Sequence, residues 1–409
     1  MSLARLWQRD FGLDRIVWVL FFGNLISAVG RFMMRPFMTM YIYDRFHVPL
    51  TQLGWYVGLS SLAGIVFNTL AGTLADQVGR RPVMAGSLLL SGLFILGYTV
   101  THSLAAFTLL FILHGAVSAL FFPASSAAIA DVTPSEQRLQ AFGLTRIAVN
   151  TGAVVGPMTA GFILAGRSYH TAFLVTALCD LFFLALVLAL VPETRPRLAP
   201  VAGGDRPVPR GGYGEVMADG FFLLFILVGL LVSVSYSQLE STLPLHLTRE
   251  LGLPVKVYAS LLALNGALVV LLQAPATALV SRWRTGRTLA LSSALYAVGF
   301  GSYAFLRSFA PLAAMMVVIT LGEVISMPSF SKFVADVSPT HLRGRYMAAS
   351  GLGWAVAGVV GPIAGTAMMG AWGGGSVWVA AGLVCAAAAG LYLMLENALT
   401  RRRTSGINV

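Results

Sequence analysis

Charge is scarce in this 409-residue chain: Asp, Glu, Lys and Arg make up 11% of it, against 57% hydrophobic residues and a mean hydropathy of +0.80. A soluble globular chain carries roughly 25% charged residues. The shortfall excludes an ordinary soluble protein and points to a polytopic membrane protein. Cysteine is almost missing as well. Cys179 and Cys385 lie in separate apolar runs, away from any metal-ligand or redox spacing, and read as small packing residues. Lysine is nearly absent, since 25 of the 27 basic residues are Arg. The sequence also lacks a Walker-type phosphate loop, a metal-ligand spacing and a nucleophile constellation. ATP-driven transport and enzymatic chemistry therefore find no support, and neither a cofactor nor a metal is expected.

What the chain has is long apolar runs. A spanning helix needs about 20 mostly apolar residues, and twelve such runs can be placed. The first six are 16–41, 51–74, 83–101, 104–131, 139–164 and 169–191. The second six are 219–248, 256–280, 288–307, 310–335, 344–369 and 376–397. Between them lies a stretch rich in Pro, Gly and Arg, with too little apolar surface to fold alone; it reads as a flexible linker. The expected division is 1–193, 194–218 and 219–409. The N-terminus is polar and basic and runs directly into span one without a cleavage-site pattern, so no removable signal peptide is expected.

The net charge of +11 invites a nucleic-acid reading, but the positions of the charges oppose it. With the N-terminus cytoplasmic, eighteen basic residues fall in inside segments, among them Arg80, Arg81, Arg138, Arg195, Arg282, Arg284, Arg287 and Arg401 to Arg403. Five fall outside: Arg45, Arg167, Arg249, Lys256 and Arg307. The bias follows the positive-inside rule. It predicts a multi-pass protein of the cell inner (plasma) membrane with both termini cytoplasmic.

The two halves repeat. Asp131-Val132-Thr133-Pro134 aligns with Asp336-Val337-Ser338-Pro339, and Gly156-Pro157 with Gly361-Pro362, at a common offset; Gly79 meets Gly286 at nearly the same one. A repeat of this scale predicts an all-α membrane protein with twelve transmembrane helices in two pseudo-symmetric six-helix bundles, and a site between them.

The loop between spans two and three reads Gly72-Thr73-Leu74-Ala75-Asp76-Gln77-Val78-Gly79-Arg80-Arg81-Pro82. Its glycines allow a tight reversal, and Pro82 suits the first turn of span three. Asp76 can accept from a neighbouring helix N-terminus, and Arg80 and Arg81 can pair with a carboxylate such as Asp131. The pattern resembles the signature loop of the major facilitator superfamily. That resemblance covers essentially the whole chain and implies the major facilitator fold. It also implies that Gly72, Asp76, Gly79, Arg80, Arg81 and Asp131 form a latch between the halves. The plainer reading is that the arginines only obey positive-inside. The second-half counterpart, residues 281–287, keeps Gly286 and its basic charges but loses the Asp, so a latch there reads as degenerate.

Span five contains Gly152, Gly156, Pro157 and Gly161, small residues that let another helix approach and a proline that bends the span. The run resembles the motif that marks proton-driven antiporters of the superfamily. Its repeat around Gly361-Pro362 equally suggests a general packing device. The antiporter branch also places an Arg in span four; here Phe111 stands at that position and His114 at that of the following Gln.

Ionisable groups inside a membrane are costly, so each is a candidate for function. Span one carries Asn24, Ser27, Arg31 and Arg35 on one face, and span seven carries Ser233, Tyr236, Ser237 and Glu240. Span ten offers Glu323 and Met327, span five Arg146 and Asn150, and span four His114 and Ser118. The resemblance implies that spans one, four, seven and ten line the cavity. Substrate is then expected to meet Asn24, Arg31, Arg35, Ser118, Arg146, Asn150, Tyr236, Glu240 and Met327. Glu323, Glu240 and His114 are the candidates for proton coupling, with Glu240 expected near Arg31 in depth. Structural ion pairing, hydrogen-bonded packing and snorkelling are the competing readings of these residues. Asp180 and Lys332 read as structural or gate-lining.

The resulting expectation is a proton-coupled secondary transporter working by alternating access, an exporter of hydrophobic or amphipathic molecules such as drugs. The surplus of Arg31, Arg35 and Arg146 over Glu240 and Glu323 favours instead an anionic or zwitterionic amphiphile. A transporter-like sensor that binds without transporting is a further alternative. Expected partners are a small-molecule substrate, protons and the lipid bilayer, with no nucleic acid, and the chain is expected to be a monomer.

Overall fold

The computed structural model describes residues 12–134, 137–165, 169–195, 213–339 and 342–404. Residues 196–212, most of the expected linker, lie outside the described residues, as do Arg5, Arg9 and Arg167. Every regular element among the described residues is helical.

The first half supplies α1 (Arg15–Phe46), α2 (Leu50–Val78), α3 (Arg80–Val100), α4 (Leu104–Val132), α5 (Arg138–Ala165) and α6 (Tyr169–Leu190). Asp14 caps α1 by accepting from the Ile16 N–H at 2.7 Å, satisfying one of the donors that a helix start leaves open. Within α1, Pro36 has no N–H to give, and the helix tightens to a 3₁₀ turn over Arg35–Phe37. The second half supplies α7 (Gly220–Ser241), α8 (Val255–Val280), α9 (Thr285–Tyr303), α10 (Phe309–Val337), α11 (Arg343–Trp372) and α12 (Gly374–Thr404). Pro157, Pro275, Pro328 and Pro362 sit inside α5, α8, α10 and α11.

Eleven of these helices are long and apolar enough to cross a membrane. The exception is α9, whose Thr288, Ser292, Ser293 and Tyr296 dilute its hydropathy. Those side chains are buried against neighbouring helices, and Ser292 Oγ donates to the Gly322 carbonyl at 2.8 Å. A span that hides its polar face in protein does not need a uniformly apolar sequence.

The chain divides into two compact units, residues 1–38 with 59–200, and residues 39–58 with 201–409. The first has a core that includes Leu20, Met84, Phe121, Phe183 and Val187. In the second, Phe225 stacks on Phe333 at 4.0 Å between centroids. The 39–58 segment belongs to the second unit through specific contacts. The Gly54 N–H donates to Thr366 Oγ1 at 2.9 Å, Arg249 pairs with Asp44, and its guanidinium lies 5.6 Å from the Tyr43 ring centroid.

Small residues set the closest approaches. A Cβ at Gly152 would lie 2.5 Å from Ala28 Cβ, and one at Gly156 would lie 2.7 Å from the Val29 carbonyl oxygen, so α5 crosses α1 with its backbone nearly in contact. Gly161 is buried on the same helix. The repeat does the same in the second unit, where a Cβ at Gly361 or Gly365 would run into Ser237 or Gln238 of α7.

Candidate functional site

Three polar sites stand out, each inside one unit. The first is the turn between α2 and α3. Gly79 makes the reversal alone: its φ is +121°, a value that side-chain-bearing residues rarely adopt, and a Cβ there would press on Glu193 at 2.5 Å. Gly72 lies inside α2, where a Cβ would meet nothing within 4 Å among the described residues, so it takes no part in the turn. Arg80 is buried and ties the site together. Its Nη1 reaches Asp76 at 2.6 Å and the Ala75 carbonyl at 2.7 Å, and its Nε reaches Asp131 at 3.3 Å. Arg81 turns the other way and donates to the Leu188 carbonyl at 2.6 Å.

The anion at the start of α3 is Glu193, not Asp76. Its carboxylate accepts from the backbone N–H groups of Arg80 at 2.9 Å and Arg81 at 3.1 Å, donors that a helix leaves unpaired at its N-terminus. The Asp76 side chain is 69% exposed and, among the described residues, pairs with the Arg80 guanidinium. Glu193 is partly desolvated, which works against its charge. The N–H donors of Arg195, Arg80 and Arg81 and the Arg80 guanidinium outweigh that and hold the carboxyl below its ordinary value. Thr194 donates to Asp131 at 3.3 Å and Arg195 to the Gln77 carbonyl at 2.7 Å. Sequence reasoning overlooked this segment. Its signal was Pro192-Glu193-Thr194-Arg195 directly after an apolar span.

The second site is a buried polar cluster among α1, α3, α4 and α6. Asp180 is 3% exposed and accepts from Ser27 Oγ at 2.6 Å and Ser91 Oγ at 2.7 Å. Ser91 Oγ lies 3.1 Å from His114 Nε2, which links α4 into the network. Arg31 is close enough to act electrostatically on both Asp180 and His114, and Arg35 on Arg31. Within this unit the acidic side chain near Arg31 is therefore Asp180. Asn24 is buried and spends its amide on the Leu20 carbonyl, and Ser118 donates to the Gly115 carbonyl. Arg146 is exposed and Asn150 half-buried on α5.

The third site surrounds Glu323 on α10. Its carboxylate accepts from Asn265 Nδ2 at 2.7 Å and from the Tyr236 hydroxyl, and Asn265 also donates to Thr320 Oγ1 at 3.0 Å. Tyr236 lies edge-on to Tyr296 and to Trp354, both with centroids 6.0 Å away. With Met327 and Phe330 these rings line a cleft of about 30 Å³, room for about two water molecules. Glu240, one turn beyond Tyr236 on α7, is half-buried near the Tyr258 hydroxyl. Asn265 was missed because a single Asn in an apolar run carries no pattern of its own.

The turn between α8 and α9 has its own carboxylate. Glu396 of α12 is 6% exposed; it accepts from Arg284 Nε at 2.7 Å and from the Gly286 N–H at 2.9 Å. The repeat thus keeps an acid at the start of α9 but supplies it from the last span, where an alignment of the loop alone does not look.

Twelve long helices in two halves of repeated sequence, with carboxylates buried between helices and tied turns at corresponding places, define a multi-pass helical membrane transporter. The chain matches the family described as the Major Facilitator Superfamily over residues 20–349 and again over 241–408, and it belongs to that family. It is 29% identical to an uncharacterised transporter of this type, YhjO of Bacillus subtilis, with 91% of each chain covered. It is 25% identical to the Na(+), Li(+), K(+)/H(+) antiporter of Planococcus maritimus, covering 94% of this chain and 96% of that one. Identity is also 25% to multidrug resistance protein MdtH of Aeromonas salmonicida, over 86% and 87%. In fold, it resembles a solved POT family transporter in complex with 5-aminolevulinic acid, with a TM-score of 0.78 at 14% identity over 96% of this chain and 98% of that one.

Proposed function

We propose that this transporter is a proton-coupled antiporter of the plasma membrane that exports hydrophobic or amphipathic small molecules by alternating access, with both termini cytoplasmic. The observation that carries this reading is Glu323, a carboxylate in the middle of a span, hydrogen-bonded to Asn265 and Tyr236 and walled by aromatic rings. A half-buried carboxyl within a span exchanges its proton as its access to water changes, and ring faces accept loosely matched apolar or cationic groups. The names of two relatives, an antiporter and a multidrug resistance protein, agree with it.

In this reading Glu323 carries the proton, while Tyr236, Glu240 and Met327 meet substrate. The test is uptake of a hydrophobic cationic dye into inverted vesicles with an acidic lumen. Glu323→Gln is expected to bind the dye but to lose gradient-driven accumulation, leaving only downhill flux. Accumulation at the wild-type level in that variant would remove Glu323 from the coupling step and turn attention to Glu240 and His114.

A second reading rests on α1. Arg31 lies beside the Asp180 and His114 cluster, with Arg35 exposed one helical turn on, where the 3₁₀ segment begins. A cationic stripe of this kind suits an anionic or zwitterionic amphiphile. Competition of the dye by a zwitterionic lysolipid, lost in Arg31→Gln, would favour it.

A further inference from the structure

The α8–α9 turn differs from its first-half counterpart in one physical respect. In the first half Arg80 fills the space between the turn and Asp131. In the second half Arg284 is drawn to Glu396, and the space beside Asp336, the repeat partner of Asp131, is an open cavity of about 280 Å³. Arg282 and Lys332 stand exposed on its wall; Lys332 Nζ is fixed by a 3.0 Å hydrogen bond to the Ser281 carbonyl.

Trp283 lines this cavity and also a second one, again of about 280 Å³, which runs along α8, α9 and α10. The second is almost wholly apolar. Its floor includes buried Val280, Val324 and Ile325, and Pro275 and Ala276 leave it open on the α8 side. A charged pocket at the end of the helices thus adjoins a greasy groove between them, with one half-exposed indole lining both. Tryptophan is favoured at that depth because its ring spans polar and apolar surroundings.

We propose that these two cavities form one binding site for an anionic phospholipid, with the phosphate against Arg282 and Lys332 and an acyl chain in the groove. Charge selects the ligand. Glu396 is already satisfied by Arg284 and the Gly286 N–H, so among the described residues that line the cavity two cations remain against Asp336, an excess that a phosphate of single negative charge neutralises. The adjoining groove selects a lipid over a free phosphate. Basic pockets between spans bind acidic head groups for the same reason. The site is separate from Glu323 and does not depend on what the protein transports.

Native mass spectrometry of the full-length protein in neutral detergent tests this, with palmitoyl-oleoyl phosphatidylglycerol and phosphatidylcholine offered at equal concentration. One phosphatidylglycerol is expected to be retained with a preference on the order of 30-fold, the factor that two basic residues supply at a charged lipid surface. The double variant Arg282→Gln/Lys332→Gln should abolish the preference; both residues are exposed, so folding is preserved. Ala276→Phe should reduce retention of either lipid by filling the groove while leaving every charge in place. A large excess of glycerol 3-phosphate should fail to displace the lipid. Equal retention of both lipids, a preference that survives the double variant, or complete displacement by glycerol 3-phosphate would each overturn the proposal.

Discussion

Glu193 carries the most consequence for a single side chain. Its carboxyl is held below the ordinary glutamate value, so its contribution to stability is complete above the unfolded value of about 4.3 and is lost as the pH falls through the folded one. Glu193→Gln keeps one acceptor but loses the charge at the start of α3. It is expected to cost on the order of 1–2 kcal/mol at neutral pH. Thermal unfolding of wild type and variant should differ by a constant amount from pH 5 to 8 and converge only as the pH falls through the lowered folded value. A difference that persists below that value would show that the side chain acts through shape instead of charge. At this scale the sequence was only partly legible. Asp76, Arg80 and Asp131 could be picked from their spacing, because a loop between two spans has few other places to put charge. Glu193 and Glu396 could not, since each reaches its partner across more than a hundred residues.

Helices pack by what their glycines leave out. Gly156→Val would drive a branched side chain into the α1 backbone near Val29 and Met33. Overpacking of that kind costs about 1–3 kcal/mol or more, so a loss of several degrees in melting temperature is expected, measurable by a thiol-reactive dye reporting on buried Cys385. Gly72→Ala is the contrast. It adds a methyl group in open space inside α2, and should leave melting unchanged or raise it slightly, because alanine suits a helix interior better than glycine. If both changes melt alike, the close approach of α5 to α1 is not what stabilises the pair. The spans themselves were legible because period and apolar length are local properties. The weak hydropathy of α9 was not an obstacle to its folding, since its polar side chains are buried and Ser292 finds its partner on α10, which no local window can contain.

Across the whole molecule the repeat was the most informative signal, and it carried the glycine crossings into both halves. It did not carry the charges one for one: the turn acid moved from the end of α6 to the interior of α12, and the place of Arg80 became a cavity. The proposed orientation rests on the arginine bias. A fluorescent protein fused after Val409 should be bright in intact cells, because such a domain folds in the cytoplasm; a dark, exported fusion would reverse the proposed topology.

The last described residues before the linker have a mechanical consequence. Glu193, Thr194 and Arg195 grip the α2–α3 turn and Asp131 through four hydrogen bonds, and a fifth, from the Arg195 N–H to Glu193, closes the segment on itself, a stitch that ends at Arg195. Tension from chain added further on is grounded there and does not reach the helices. A folded cargo such as a biosensor module spliced between residues 200 and 206 should leave transport intact, whereas even a short insert between Pro192 and Glu193 should unpick the stitch and stall the carrier.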